Sequence, residues 1–324
     1  MSTLLPPLED IEDAARLVYA AMPPTPQYSW PLLNAALGAQ AWVKHENHTP
    51  IGAFKVRGGL VYMARLLRRQ PGLPGVIAAT RGNHGQSVAF AAQRHGIAAT
   101  IVVPHGNSAE KNAAMRGFGA RLIEHGTDFQ ESREHAQALA RRDGLHMVQS
   151  YHPDIVAGVA SGWLELLRAQ PALDLLLVAI GQGSSFAGAA AARAALGLGM
   201  PLVGVVSSGA PAYQLSFQAG QAVPAPVSTV LADGLACRVP DALSLPAVLA
   251  YADDVIAVSD AEVAQAMRLY YRCTHNLAEG AGAASLAAAL QLRGAGKLAG
   301  ARIGLALTGS NVDAALFAPL LAAP

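Results

Sequence analysis

The feature that most restricts the fold of this chain is a set of short, unbroken apolar runs. They are GVIAAT (75–80), AATIVVP (98–104), LDLLLVAI (173–180), PLVGVVS (201–207) and IGLALTG (303–309). A strand with one wet face alternates apolar and polar residues. A run that does not alternate is buried on both faces, as in a parallel sheet covered by helices. Helical runs lie between these strands: QSVAFAAQRHG (86–96), SAEKNAAMRGFG (108–119) and FQESREHAQALARRDG (129–144), the last with Gly144 as its C-cap. ARLIEHG (120–126) reads as a further strand, and 260–271 as an amphipathic helix in which Tyr270 and Tyr271 pack. The pattern is α/β. With 324 residues, 52% hydrophobic and 14% charged, it suffices for two domains.

Charge adds little. The formal net charge is +1 and the basic residues are scattered, so neither nucleic acid nor a membrane surface is an expected partner. RLLRR (65–69) reads as the solvated edge of a helix. The two cysteines, Cys237 and Cys273, fit a reducing compartment and build no metal site. The N-terminal residues lack the basic region of a signal peptide, and Leu175–Ile180 is too short to span a bilayer. A soluble, cytoplasmic protein is expected.

Three glycine-bearing turns follow predicted strands: TRGNHGQ (80–86), GQGSSFAG (181–188) and TGSN (308–311). In open α/β sheets ligands bind at the carboxyl ends of strands, so the three turns share one cleft in this reading. GQGSSFAG opens a helix, where free N–H groups and the helix dipole suit a phosphate. Its glycine spacing is not that of a dinucleotide fingerprint, and no Gly-Lys-Ser/Thr follows. A plain strand-to-helix turn is the other reading of the same residues.

Lys55 lies inside TPIGAFKVRGG (49–59), an apolar and turn-forming stretch. Such a lysine either snorkels to solvent or is desolvated and chemically useful. A phosphate cradle together with a lysine in an apolar segment is the pair that a pyridoxal phosphate enzyme needs.

Four segments, in order, resemble the fold-type II pyridoxal phosphate family, which includes threonine and serine dehydratases and serine racemase. KHENHTPIGAFKVRGG (44–59) resembles its Schiff-base segment, with Lys55 at the lysine. RGNHGQ (81–86) resembles its Ser-Gly-Asn-His segment, GQGSSFAG its phosphate loop, and LTGSNVD (307–313) its Ser-Gly-Gly-Asn segment. The resemblance covers about residues 40–313. It implies two three-layer αβα domains like the tryptophan synthase β-subunit, a large one (1–51 and 152–324) and a small one (52–151). It implies pyridoxal 5'-phosphate held by Lys55, Phe54, Asn83, Gly181, Gly183, Ser184, Ser185, Phe186, Thr308 and Glu279. It places Thr49, Arg81, Gly82 and His84 at the substrate. Lys55 is then the catalytic base for the Cα proton. Thr308 is a neutral partner for the pyridine nitrogen, which suits β-elimination better than transamination. A homodimer is implied as well.

Departures from the family matter too. Arg81 stands where a serine serves racemases as second base, and a guanidinium cannot take that role. It either faces the site and pairs with a substrate carboxylate or is held outward by a surface carboxylate. Gln182, Ser184 and Ser185 replace glycines of the phosphate loop. The stretch GVVSSGAPAYQ (204–214) lacks carboxylates where some relatives bind a divalent cation, so no metal is expected there. Glu279 reads either as a neighbour of the cofactor ring or as an ordinary helix N-terminal acid. His84 reads as structural, near the phosphate. HENH (45–48) is not a metal site, because two histidines three apart on a strand and loop point different ways. SYHPD (150–154) reads as a crossing between domains.

The expected activity is an ammonia-lyase turning L-threonine or L-serine into a 2-oxo acid and ammonia. Alternatives are a dehydratase of 3-hydroxyaspartate or of a bulky 3-hydroxy amino acid such as 3-phenylserine, a β-replacement enzyme, and, less favoured, a racemase. A cofactor carrier without turnover is disfavoured by the intact Lys55 and Asn83.

Overall fold

The computed structural model describes residues 4–322. Its strands are β1 (Gln27–Ser29), β2 (Gln40–His45), β3 (Gly75–Ala79), β4 (Ala98–Val103), β5 (Arg121–Glu124), β6 (His146–Met147), β7 (Leu175–Ala179), β8 (Leu202–Ser207), β9 (Asp254–Val258) and β10 (Arg302–Leu307). Its helices are α1 (Leu8–Tyr19), α2 (Pro31–Leu37), α3 (Lys55–Arg69), α4 (Asn83–Arg94), α5 (Ala109–Gly117), α6 (Phe129–Asp143), α7 (Pro153–Ala169), α8 (Ser184–Ala195), α9 (Ala212–Ala219), α10 (Leu245–Tyr251), α11 (Asp260–Thr274), α12 (Gly280–Gly294) and α13 (Ala314–Ala322).

A six-stranded sheet has the order β1-β2-β10-β7-β8-β9, and a four-stranded sheet the order β5-β4-β3-β6. Every neighbouring pair is parallel except β1 with β2. The fold is therefore α/β with mostly parallel sheets. The unbroken apolar runs behave as their composition requires, with β3 and β8 buried at every position. The smaller sheet comes from a stretch of chain that leaves the larger one after β2 and rejoins it before β7.

Helix ends follow local chemistry. Ser108 caps α5 and Asp128 caps α6, while Ser259 and Glu262 form a capping box on α11. Gly144 ends α6 in the left-handed region at φ 67°. His152, in the crossing segment, caps α7 by accepting from the Asp154 N–H.

α7 is buried on nearly its whole circumference and packs on α3 and α8. A Cβ on Gly158 would lie 2.4 Å from the Arg57 carbonyl oxygen, and one on Gly59 would lie 2.1 Å from Ser87 Oγ. These glycines let α3 sit against both α7 and α4 with backbone nearly touching.

Charge locks the same junction. Arg57, fully buried, donates to Glu46 (2.7 and 3.0 Å), Glu165 (2.7 and 3.0 Å), Ser161 and Thr25. Lys44 donates to Glu165 (2.5 Å), the Thr25 carbonyl and Gln27. Two cations face two carboxylates, so the buried charge balances. Burial works against the charge on Glu46, but Arg57 and Lys44 outweigh it and hold its carboxyl below the usual range.

The structure corrects several expectations. α4 starts at Asn83 rather than 86, because Gly82 in extended backbone begins the helix at once. α11 runs on to Thr274. The RLLRR segment is not wholly solvated: Arg65 pairs with Asp10 and Asp154. Tyr270 is buried, whereas Tyr271 is 40% exposed. His45 and His48 do not point apart; their rings stack with centroids 5.1 Å from each other. Their ring nitrogens are engaged by Trp30, Asn47 and Asn276, and the described residues contain no group of three or more metal-ligating side chains. β1 and β6 went unread because two or three residues show no period.

Candidate active site

The site lies where the carboxyl ends of β2, β10, β7 and β3 face one another. An isolated bridge between Ala53 and Gly309 ties the Lys55 loop to the end of β10. Phe54 N–H donates to the Thr308 carbonyl, 2.9 Å, on the same seam. Lys55 is thereby the first residue of α3, with Ser87 Oγ on its carbonyl oxygen at 2.6 Å.

The Lys55 side chain does not snorkel. Burial lowers its pKa to about 8, against a smaller upward pull from Glu279, and its Nζ sits 4.8 Å from the centre of the Phe54 ring. Part of its amine is therefore neutral near pH 7. Beneath it is a pocket of about 10 Å³, lined by Lys55, His84, Ser87, Ser150 and Ser184, with room for about one water. His84 is half-buried, with its Nε2 buried and without a partner, and desolvation lowers its pKa to about 4, so it is neutral.

Four helices open at this cleft, α3 at Lys55, α4 at Asn83, α8 at Ser184 and α12 at Gly280. None has a side-chain cap. Uncapped helix starts carry free N–H groups and positive dipole, and several converging on one place suit an anionic ligand. At α8 the cradle is built by close approach. A Cβ on Gly181 would lie 2.4 Å from the Gly234 carbonyl oxygen, and Gly183, at φ 92°, leaves no room against Ser244. The Ser184 and Ser185 side chains are buried in the first turn, and Phe186 is fully buried behind them.

Glu279 is buried and accepts from Asn83 Nδ2 at 2.6 Å. Desolvation raises its carboxyl to about 7, with Lys111 pulling it down. It is thus not an ordinary helix N-terminal acid. Thr308 is buried at the end of β10 and donates to the Ala281 carbonyl at 3.4 Å. The Thr49 hydroxyl is turned back on Ala53, accepting from its N–H and donating to its carbonyl, both at 2.9 Å, so it shapes its own loop. Arg81 is exposed beside Gly82 and makes no ion pair among the described residues. The surface carboxylate that would hold it outward is absent there.

Three residues escaped sequence reasoning. Lys111 lies over Gly82, with its Cδ 2.9 Å from where a Cβ would stand, and pairs with Asp233 at 2.7 Å. Asn311 donates to Asn83 Oδ1 at 2.8 Å. With Glu279 and Asp313 these residues line a cavity of about 240 Å³. Asn311 stands inside a motif already quoted, whereas Asp233 lies outside every quoted motif and Lys111 lies in α5 with nothing to distinguish it.

The arrangement tests well against pyridoxal phosphate. A desolvated lysine of lowered basicity suits its aldehyde, the uncapped glycine-built start of α8 suits its phosphate, and the Thr308 hydroxyl suits its ring nitrogen. Two parallel α/β units with such a lysine between them define a fold-type II pyridoxal phosphate enzyme. The chain belongs to the family described as pyridoxal-phosphate dependent enzyme, which matches residues 18–309.

Named relatives agree. An L-threo-3-hydroxyaspartate ammonia-lyase from a Pseudomonas species is 33% identical, over 96% of this chain and 97% of its own. An L-threonine ammonia-lyase from Thermotoga maritima is 31% identical, over 94% of this chain and 76% of its own. Among solved structures, maize serine racemase superposes with a TM-score of 0.90 at 27% identity, over 97% of this chain and 96% of its own.

Proposed function

We propose that this chain is a pyridoxal phosphate-dependent ammonia-lyase that removes water and then ammonia from a β-hydroxy amino acid. The observation that carries the reading is Lys55, a desolvated amine of lowered pKa at the meeting point of uncapped helix starts. The bound cofactor supplies an aldehyde that captures an amine and a ring that draws electrons from the carbon bearing it.

The chain's own groups do the rest. The amides at the start of α8, with the Ser184 and Ser185 hydroxyls, hold the phosphate. Asn83 would donate to the ring hydroxyl, and Phe54 and Glu279 would stand beside the ring. Thr308 would meet the ring nitrogen as a neutral hydroxyl, a partner that suits β-elimination better than transamination. Lys55, neutral, takes the Cα proton. The α4 start at Gly82, Asn83 and His84 receives the substrate carboxylate. The hydroxyl on Cβ leaves as water, and the released enamine tautomerises and hydrolyses to a 2-oxo acid and ammonia.

L-Threonine and L-serine are the default substrates. A second reading, 3-hydroxyaspartate, is favoured by Arg81, a guanidinium two residues before the α4 start with no ion pair among the described residues, and by the Pseudomonas relative. In this reading Arg81 pairs with the side-chain carboxylate. A large domain (1–51 and 152–324) and a small domain (52–151) with the cofactor between them, a homodimer and a cytoplasmic location complete the proposal. The outermost residues, 1–3 and 323–324, lie outside the described part. Free Cys237 and Cys273 support a reducing compartment, and no described helix is long and apolar enough to cross a membrane.

The test is release of ammonia and 2-oxo acid from L-serine, L-threonine, the 3-hydroxyaspartates and 3-phenylserine. Lys55→Ala is expected to abolish it. Arg81→Ala is expected to lower kcat/KM for 3-hydroxyaspartate at least about tenfold, the loss of one charge-assisted hydrogen bond, and to spare serine. An equal effect on both substrates would sink the second reading.

A further inference from the structure

Asn83 is held from two sides, and its partners differ in what they permit. Asn311 Nδ2 donates to the Ile51 carbonyl at 2.8 Å and to Asn83 Oδ1 at 2.8 Å. A backbone carbonyl can only accept, so Asn311 must turn its NH₂ toward Ile51. The same NH₂ then reaches Asn83, which must answer with its oxygen. That leaves the Asn83 NH₂ on the far side, with one N–H on Glu279 at 2.6 Å and the other without a protein partner. An amide is nearly symmetric in shape; an ionised Glu279 asks for the same direction, and Asn311 fixes it also when Glu279 holds a proton.

We infer that Asn311 is a positioning residue that fixes the direction of the Asn83 amide, making Asn83 an obligate hydrogen-bond donor toward the cofactor's ring oxygen. The direction is set by a backbone group three links away, in the order Ile51 carbonyl, Asn311, Asn83, ring oxygen. The chain of bonds also crosses the molecule. Asn83 belongs to the stretch carrying the four-stranded sheet, and Ile51, Glu279 and Asn311 to the six-stranded side. The segment bearing Asn311 is clasped to the loop before Lys55, since Ser310 N–H donates to the Gly52 carbonyl at 2.9 Å. The lysine and the amide are thus registered against one strap. A donor aimed at a phenol-type oxygen stabilises its ionised form and lowers the pH at which it ionises. The inference rests on the proposed contact between Asn83 and the ring.

The experiment compares substrate-free holoenzymes of wild type, Asn311→Asp, Asn311→Ser, Asn83→Asp and the Asn83→Asp/Asn311→Asp pair. The readouts are the pH titration of the bound cofactor's visible absorption and the cofactor dissociation constant. Asn311→Asp puts oxygens against both Ile51 and Asn83, so Asn83 flips and its donor is lost. The titration midpoint is expected to rise by about one pH unit and the cofactor to bind about tenfold more weakly. Asn311→Ser removes the anchor without adding charge. It shifts both readouts the same way by less, and it carries the test if the aspartate variant does not fold. Asn83→Asp gives the full shift, and Asn311→Asp adds no further spectral change on top of it. A shift in Asn83→Asp with none in either Asn311 variant would overturn the inference alone. No shift in Asn83→Asp would overturn both the inference and the ring contact beneath it, leaving the lyase activity to be judged by oxo-acid release.

Discussion

At the scale of single residues, the site is a set of groups whose ordinary chemistry has been moved by burial. Lys55 is the clearest. Its pKa falls from the usual 10.5 to about 8 because the ammonium loses water. Only the neutral amine condenses with an aldehyde. Reconstitution of apo-protein with pyridoxal phosphate is therefore expected to speed up as pH rises and to level off just above pH 8. Stopped-flow absorbance would show this, and a rate still climbing toward pH 10 would contradict it. Lys55 stood out in the sequence as a lysine in an apolar, turn-forming stretch, whereas Asn83 and Thr308 were singled out through the family resemblance of their motifs; the structure brings all three to one cleft. Asn311 was visible but mute, since its task is a hydrogen bond to a residue 228 positions away. The Thr49 hydroxyl, expected at the substrate, has a partner only four residues off and closes its own loop on Ala53.

At the scale of elements, β3, β4, β5, β7, β8 and β10 could be read directly, with helices α4, α5, α6, α8 and α11, whereas β2, β6, β9 and buried helices such as α7 and α12 were not read. Unbroken apolar runs have few other fates, and Gly144, Ser108 and Asp128 mark helix ends by backbone and cap chemistry. What could not be read was how α3 is clamped. Arg57 comes two residues after Lys55 in the same apolar, turn-forming stretch, where nothing marks it as paired, yet it is fully buried between β2 and α7. Its role needed Glu46 and Glu165, which no periodicity links to it. Replacing it with leucine leaves these two carboxylates facing Lys44 alone. Arg57→Leu is expected to cost about 3–5 kcal/mol of stability, measurable by urea unfolding. It is also expected to loosen the start of α3, so that cofactor binding weakens under native conditions. A loss below about 1 kcal/mol would mean that the site relaxes around the missing guanidinium.

At the scale of the whole molecule, few polar bonds cross the cleft at its open edge. Lys111 pairs with Asp233, Ser108 donates to Asp313, and Glu110 accepts from the Ala314 N–H. Burial opposes the charge on Lys111, but Glu279, Asp233 and Asp313 hold its pKa above the usual value. Lys111→Met is expected to raise KM for the amino acid about fivefold, the equivalent of about 1 kcal/mol for a partly exposed pair, with a smaller effect on kcat. Lys111→Arg retains most of it. Steady-state kinetics with both variants decides the point, and equal KM values in wild type and Lys111→Met would refute it. The order of the larger sheet has a consequence in time. Ribosomes make β2 early and β10 last, yet β10 lies between β2 and β7. A nascent chain carries Lys55 through most of the synthesis of these strands without Gly309 to bridge Ala53 or Thr308 to anchor Phe54. The site is assembled from segments far apart along the chain, and it cannot close before β10 and the turn after it have been made.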